Sequence, residues 1–344
     1  MAKKTQKKLK AGVIGYGGAF NMGRHHLEAM RRAGMKPTAV AEIDPDRLEQ
    51  ARADYPRVGC FSTVDAMLRE SDVEVVTLVT PHNTHVELAL QCLKAGRHVV
   101  AEKPLAITTA ECDRMIAQAK KNGVVLSTYH NRHWDGCIVN TVKRIRSGVI
   151  GDIVRIEAHM GLREQPKDWW RSSKSISGGI LYDWGVHLLE YSLQLIDSDI
   201  TEVSGFAHSG YWAPRTAWGG DTNEDEAFAV VRFKSGQWLT LCITSLDANP
   251  KPGWLEITGT EGTFLFGRDS WKIITRDAKE RVVHEGKNPP MEGESRRYYK
   301  NVADHIRNGT PLVITPEWAR RPIHILDLAD RSAREGRAMK PKYG

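Results

Sequence analysis

No run of apolar residues in the chain approaches the roughly 18 needed to cross a membrane. With 41% hydrophobic and 26% charged residues, the 344-residue sequence has the composition of an ordinary soluble globular protein. Cysteine is scarce. The five, Cys60, Cys92, Cys112, Cys137 and Cys242, include no C-x-x-C pair and are odd in number, which argues against a disulfide framework or a thiolate zinc site and leaves free buried thiols. The opening MAKKTQKKLK lacks the apolar stretch of a signal peptide, because glycines interrupt the sequence from Gly12, so a cytoplasmic location is expected. A broad basic surface is also missing: five lysines among the first ten residues supply most of the net charge of +7, leaving +2 for the rest. We read residues 1–10 as a solvated basic tail and expect no nucleic-acid partner and no membrane partner. Tryptophan is absent before Trp134, yet all ten lie between there and Trp318. The two halves therefore differ in kind, and a chain of this length suits two domains.

The first half alternates short apolar runs with helical spacing. LKAGVI, PTAVAEID, VEVVTLVTP, RHVVAEKP and VVLSTYHN read as strands, with GRHHLEAMRRAG, DPDRLEQARADY, HVELALQCLKAG and TTAECDRMIAQAKKNG as helices between them. Such alternation predicts an α/β fold with a doubly wound parallel sheet, a Rossmann domain over residues 11–131. The turn after the first strand is GYGGAFNMG. It supplies the first two glycines of G-x-G-x-x-G at Gly15 and Gly17, but Phe20 takes the third place and Gly23 comes three residues late. Glu42 ends the second strand where an acidic side chain can accept from a ribose 2′-OH and repel a 2′-phosphate, so NAD is favoured over NADP. Ligands of these sheets lie beyond the carboxyl ends of the strands. The expected cofactor contacts are therefore Gly15, Gly17, Phe20, Asn21, Met22, Glu42, the run Thr80, Pro81, His82, Asn83 and His85, then Glu102, Lys103 and Asn131. His82 and His85 have no cysteine or carboxylate at a useful spacing, and no metal is expected.

In the second half, GGILYDWGVHLLEYSLQL reads as an apolar helix crossed by one polar line, Asp183, His187, Glu190 and Gln194. Gly185 inside it costs about 1 kcal/mol relative to alanine and predicts a close neighbour.

VVAEKPLA, TPHNTHVELAL, HNRHW, SGVIGDIVRIEA and GGILYDWGVHLLE together resemble the glucose-fructose oxidoreductase, inositol dehydrogenase and MocA family, over nearly the whole chain. The resemblance implies a C-terminal α+β domain with a large open, mainly antiparallel sheet over residues 132–315, a last helix within 316–344 packing back near the Rossmann domain, and a homodimer or homotetramer. The apolar and alternating runs GDIVRIEAHM, TEVSGFAHS, DEAFAVVRFKSG, QWLTLCITSL, GWLEITGT and GTFLFG agree with such a sheet. It also implies that Lys103, Asp183 and His187 converge beside the nicotinamide as catalytic and substrate-binding residues. Oxidation of a secondary alcohol needs a base on the hydroxyl proton. His187 suits that role, with Asp183 orienting it or holding a hydroxyl, and Lys103 as the competing base or as a donor to the alkoxide. Glu190 departs from the family's usual aspartate.

Indoles beside polar groups suit a sugar, so Trp134, Trp170 and Arg171 are expected substrate contacts, with Trp212 and Trp218 as further candidates. Trp238, Trp254 and Trp271 are expected in the core or an interface. The leading expectation is an NAD-dependent dehydrogenase of a sugar, glycoside or cyclitol. A glycosidase acting through transient C3 oxidation and elimination, and a non-enzymatic sugar or dinucleotide sensor, are the alternatives.

Overall fold

The apolar runs of the first half become strands of three to six residues: β1 (Lys10–Ile14), β2 (Lys36–Ala41), β3 (Gly59–Phe61), β4 (Val75–Leu78), β5 (His98–Ala101) and β6 (Leu126–Thr128). In this computed structural model, which describes residues 8–18, 20–276, 280–289 and 294–343, they form one parallel sheet in the order β3-β2-β1-β4-β5-β6. The first seven residues of the expected basic tail lie outside the described residues. The helices between strands are α1 (Met22–Arg32), α2 (Pro45–Asp54), α3 (Val64–Glu70), α4 (His85–Lys94) and α5 (Thr109–Asn122). β4, inside the sheet, is buried along its whole length, which is why it is VVTL without a polar alternation. Their starts follow local chemistry: Pro45 opens α2, and the Asp44 carboxylate accepts from the N–H groups of Asp46 and Arg47 at 3.0 and 3.2 Å.

The chain divides into two compact units. The first contains residues 1–106, 110–131 and 295–319; the second contains 107–109, 132–294 and 320–344. The segment returning to the parallel sheet is therefore α9 (Glu294–Asn308) with the start of α10 (Pro316–Glu335), whereas the boundary expected from sequence stood at 315 and the last helix was expected there as a whole. The reason lies in two tyrosines. Tyr298 donates to Ser127 Oγ at 2.7 Å, and the Tyr299 hydroxyl meets His26 Nδ1 at 2.7 Å and Thr77 Oγ1 at 3.0 Å, all buried.

In the second unit α6 (Gly136–Arg146), α7 (Lys174–Ser177) and α8 (Gly185–Leu193) accompany eight strands. These are β7 (Ile153–Gly161), β8 (Ile200–His208), β9 (Glu226–Phe233), β10 (Trp238–Thr244), β11 (Leu255–Gly259), β12 (Gly262–Phe266), β13 (Ser270–Arg276) and β14 (Arg281–Lys287). Their order is β14-β13-β12-β11-β7-β10-β9-β8, antiparallel throughout except for the β7–β10 pair. One face carries Ile156, Leu239, Leu241, Ile257, Phe264 and Phe266, fully buried, and α8 packs over β7 and β10. The body of α10 joins this unit, with Ser332 Oγ accepting from Gly205 N at 2.9 Å and Met339 bridging to Val203. All five cysteines are free. Among the described residues no helix is long and apolar enough to cross a membrane, and no group of three or more metal-ligating side chains forms.

His98, at the start of β5, accepts the Val125 N–H on Nδ1 at 2.9 Å, which only the neutral ring can do. Burial pushes its pKa down, and His305 pushes the same way against Glu74. A folded-state value below the ordinary one, about 6.5, gives stability that is present above that pH and lost as the pH falls. Urea unfolding should therefore weaken from pH 7 to pH 5, and less steeply in His98→Asn; equal slopes would remove His98 as a contributor.

Candidate functional site

The end of β1 turns on Gly15 at φ 89°, whose N–H donates to Ala41 O at 2.8 Å. The chain then enters α1 through Asn21, in the left-handed region at φ 48°. Gly23 supplies the close approach that the third glycine of the fingerprint normally gives. A Cβ there would stand 2.5 Å from Tyr16 Cα and 2.6 and 2.7 Å from the Tyr16 and Gly15 carbonyl oxygens, all of them backbone atoms that cannot yield cheaply. The motif is therefore stretched by three residues rather than broken, with Phe20 in the extra length and 56% exposed.

Glu42 is buried and staples this turn. Its Oε2 accepts from Tyr16 N at 2.8 Å and, more weakly, from Gly17 N at 3.5 Å, while Oε1 accepts from Asp44 N at 3.0 Å. The stem of Arg47 lies against Gly17, which leaves no room there for a side chain. A carboxylate has about four lone-pair positions, so Glu42 retains capacity for a ribose hydroxyl beside its structural contacts.

Two further strand ends flank the turn. After β4, Thr84 Oγ1 donates to Thr80 Oγ1 or the Pro81 carbonyl, both at 2.7 Å, and closes a 3-10 turn over His82–Thr84. His82 is buried and Asn83 exposed. His85 is wholly buried, with Nδ1 2.9 Å from Pro104 O and Nε2 3.0 Å from Thr80 O. It ties the two strand ends together, so the structure gives it a bracing place rather than an open one. Burial pushes its pKa down, against those carbonyls and Glu102. After β5, Glu102 meets His26 Nε2 at 2.9 Å and accepts from Lys103 N at 3.0 Å. Burial alone would raise its carboxyl; the His26 contact and the Lys103 charge and N–H outweigh it and hold it below the usual carboxylate range. Lys103 precedes a cis proline, and Asn131 opens a 3-10 turn running to Trp134.

In the second unit the polar line is real, but it is not one helix. Residues 180–182 form a 3-10 turn, Asp183 follows it, and α8 begins only at Gly185. Gly178 and Gly179, at φ 94° and 125°, break the expected helix. Gly185 is therefore the first helical residue rather than an interior one, although the close neighbour exists: a Cβ there would meet Leu241 Cδ2 at 3.1 Å.

Each carboxylate of the line has a fixed partner. Arg171 Nη1 donates to both Asp183 oxygens, at 3.1 and 3.2 Å, and the guanidinium lies 5.2 Å from the ring centres of Trp169 and of Trp170. Glu190, buried, meets His133 Nδ1 at 2.5 Å and accepts from Gln194 Nε2 at 3.3 and 3.1 Å. Between them lies His187, 6% exposed, its ring 5.5 Å from that of Trp184. Arg132 stands 5.0 Å over Trp184 and donates to Asp135 at 3.1 Å, and the buried Tyr191 hydroxyl donates to the same Asp135 oxygen at 2.8 Å.

No local pattern in the sequence points to a role for Tyr299, and for Arg132 and His133 only the stretch HNRHW, two bases beside a tryptophan, carries a signal. Of the tryptophans, Trp134 lies against His133 and Trp170 against Arg171, whereas Trp212 is buried with Nε1 donating to Ser245 O at 3.3 Å, a core position. Trp254 packs among Trp184, Tyr191 and Phe266, and Trp271 stacks on Phe264 under Arg144.

Residues 9–130 match the profile described as an oxidoreductase family with an NAD-binding Rossmann fold, and residues 142–340 match its C-terminal alpha/beta domain. The chain belongs to the Gfo/Idh/MocA oxidoreductase family. Like other Gfo/Idh/MocA proteins it is an NAD-binding oxidoreductase. It is 25% identical over 368 residues to the scyllo-inositol 2-dehydrogenase (NADP(+)) IolW of Bacillus subtilis, covering 96% of this chain and 95% of that one. It is also 25% identical over 343 residues to the myo-inositol 2-dehydrogenase of Thermotoga maritima, covering 96% and 98%. Among solved structures, an NAD-binding protein from Listeria innocua matches with a TM-score of 0.81 at 25% identity over 97% of both chains. A levoglucosan dehydrogenase in complex with NADH and levoglucosan matches in fold with a TM-score of 0.83 at 22% identity, over 98% of this chain and 100% of that one.

The glycine turn, the α1 N-terminus and the capacity left on Glu42 fit a dinucleotide. Gly23→Ala should lower unfolding free energy by about 1–3 kcal/mol and weaken NAD binding at least tenfold, read by urea unfolding and titration calorimetry. Wild-type values in both would show that α1 does not approach the turn as closely as described.

Proposed function

We propose that this protein oxidises a secondary alcohol of a cyclic polyol, that is a sugar, glycoside or cyclitol, with NAD as the hydride acceptor. The observation that carries the reading is the sequence line Asp183, His187 and Glu190 in the second unit, whose two carboxylates are held by Arg171 and His133 and whose imidazole lies against the Trp184 ring. Rings with hydrogen-bonding groups beside them suit a polyol's C–H faces and hydroxyls. Three relatives in hand, two inositol dehydrogenases and a levoglucosan dehydrogenase, are named for substrates of that class.

In this reading His187 takes the hydroxyl proton, Asp183 accepts from a substrate hydroxyl, and the role of Lys103 is to donate to the alkoxide as it forms. Trp134, Trp170 and Arg171 line the substrate, and the bound NAD supplies only the acceptance of hydride. Glu42, the 80–83 turn, Glu102 and Asn131 serve the cofactor. We further propose a cytoplasmic homodimer or homotetramer. The sheet face away from α8 bears half-exposed Arg155, Trp238, Thr240 and Cys242, which a second copy would cover.

The test incubates purified protein with NAD and a panel of monosaccharides, glycosides and inositols, following NADH and products together. NADH with a ketone product is expected. Free sugar from a glycoside without net NADH would replace the reading by oxidation–elimination, and binding without turnover by a sensor. His187→Ala and Lys103→Met should each lower kcat by about 10²–10⁴-fold; a variant as active as wild type loses its role.

A further inference from the structure

We propose that Arg171 is a positioning residue that clamps Asp183 as a permanent anion, so that Asp183 can accept a hydrogen bond but not a proton, and His187 is left as the titrating group of the line. The inference rests on the functional reading above for its catalytic meaning, but its geometry stands alone.

Asp183 does not belong to regular secondary structure. It follows the 180–182 turn at φ −84°, ψ −73°, two residues before α8 starts, so no helical hydrogen bond fixes the direction of its side chain. The direction is set from outside. One guanidinium nitrogen of Arg171 donates to both carboxylate oxygens, at 3.1 and 3.2 Å. Arg171 is itself held in place. Asn223 Nδ2 donates to its carbonyl at 2.7 Å, Asn223 N donates to the Ser172 carbonyl at 2.9 Å, and Trp169 and Trp170 flank the guanidinium. The pair is partly buried, with side-chain exposures of 24% for Arg171 and 38% for Asp183, so water screens it incompletely.

A charged hydrogen bond at this range favours the ionised carboxylate. The start of α8 adds a smaller effect of the same sign. His187 follows four residues later with Trp184 against it, Arg132 lies over Trp184, and the Glu190–His133 pair stands beyond. A carboxylate beside a reacting alcohol would otherwise compete for the proton released with the hydride. Anchored by an arginine, it keeps its charge and leaves the transfer to the imidazole.

The test uses the full-length protein with Arg171→Met and Arg171→Lys, each checked for wild-type circular dichroism and melting. In protein carrying 13C at aspartate Cγ, the resonance lost in Asp183→Asn reports this carboxyl without any substrate. Its midpoint should rise by about one pH unit or more in Arg171→Met and by less in Arg171→Lys. In kinetics with NAD and whichever of myo-inositol or levoglucosan the wild type oxidises, kcat/KM should fall in Arg171→Met, with partial return in Arg171→Lys. An unmoved carboxyl titration in a folded Arg171→Met protein would overturn the clamp. A moved titration in a protein that oxidises neither polyol would leave the clamp standing and remove the functional reading instead.

Discussion

The first unit depends on a backbone-to-backbone approach, α1 against the exit of β1, which only a glycine at position 23 permits. Helix N-termini attract anions because their first N–H groups lack partners within the helix. That attraction is useful only if the turn before the helix has a single shape. Here the shape is enforced twice, by the crowding at Gly23 and by the Glu42 carboxylate drawing in the N–H groups of Tyr16, Gly17 and Asp44. The same carboxylate thus ties β1's turn to the end of β2. Glu42 is thus part of the frame that any ligand of the turn would meet.

The second unit solves a comparable problem with charge. A line of polar side chains beneath a broad apolar sheet face is costly unless each is paired. Asp183 is answered by Arg171, Glu190 by His133 and Gln194, and Asp135 by Arg132 and Tyr191. Arg171 and His133 come from segments far from α8 in sequence, so their pairings are visible only in three dimensions, whereas Tyr191 and Gln194 belong to α8 and its C-terminal end. Indole rings stand beside these pairs, Trp169 and Trp170 near Arg171 and Trp184 near Arg132 and His187.

Much of the architecture was legible because periodicity records burial. Both sheets follow from apolar runs bounded by glycine, and the E-K-P and D-x-x-x-H stretches pointed to the family. What was missed had weak or misleading local signals. β3 has only three residues, GCF, too few to show a period, and α3 beside it was not foreseen. β13 and β14, SWKIITR and RVVHEGK, sit at the sheet edge with mixed polarity and lack a clean alternation. The helix expected across residues 178–195 is split because Gly178 and Gly179 adopt positive φ, which a count of apolar spacing cannot see. The His26–Glu102–Tyr299 chain was illegible for a different reason: its members are 76 and 273 residues apart, and a buried polar contact leaves no periodic trace.

That chain also bears on how the protein is made. Tyr298 and Tyr299 fill the interior of the nucleotide-binding unit and add hydrogen bonds to Ser127, Thr77 and His26, which also reach Ile314 O, Met30 Sδ and Glu102. A ribosome delivers those tyrosines only after nearly nine-tenths of the polypeptide has emerged. Residues 320–344 of the second unit follow later still, so neither unit has all its parts until α9 and α10 have been made, although the six parallel strands come first.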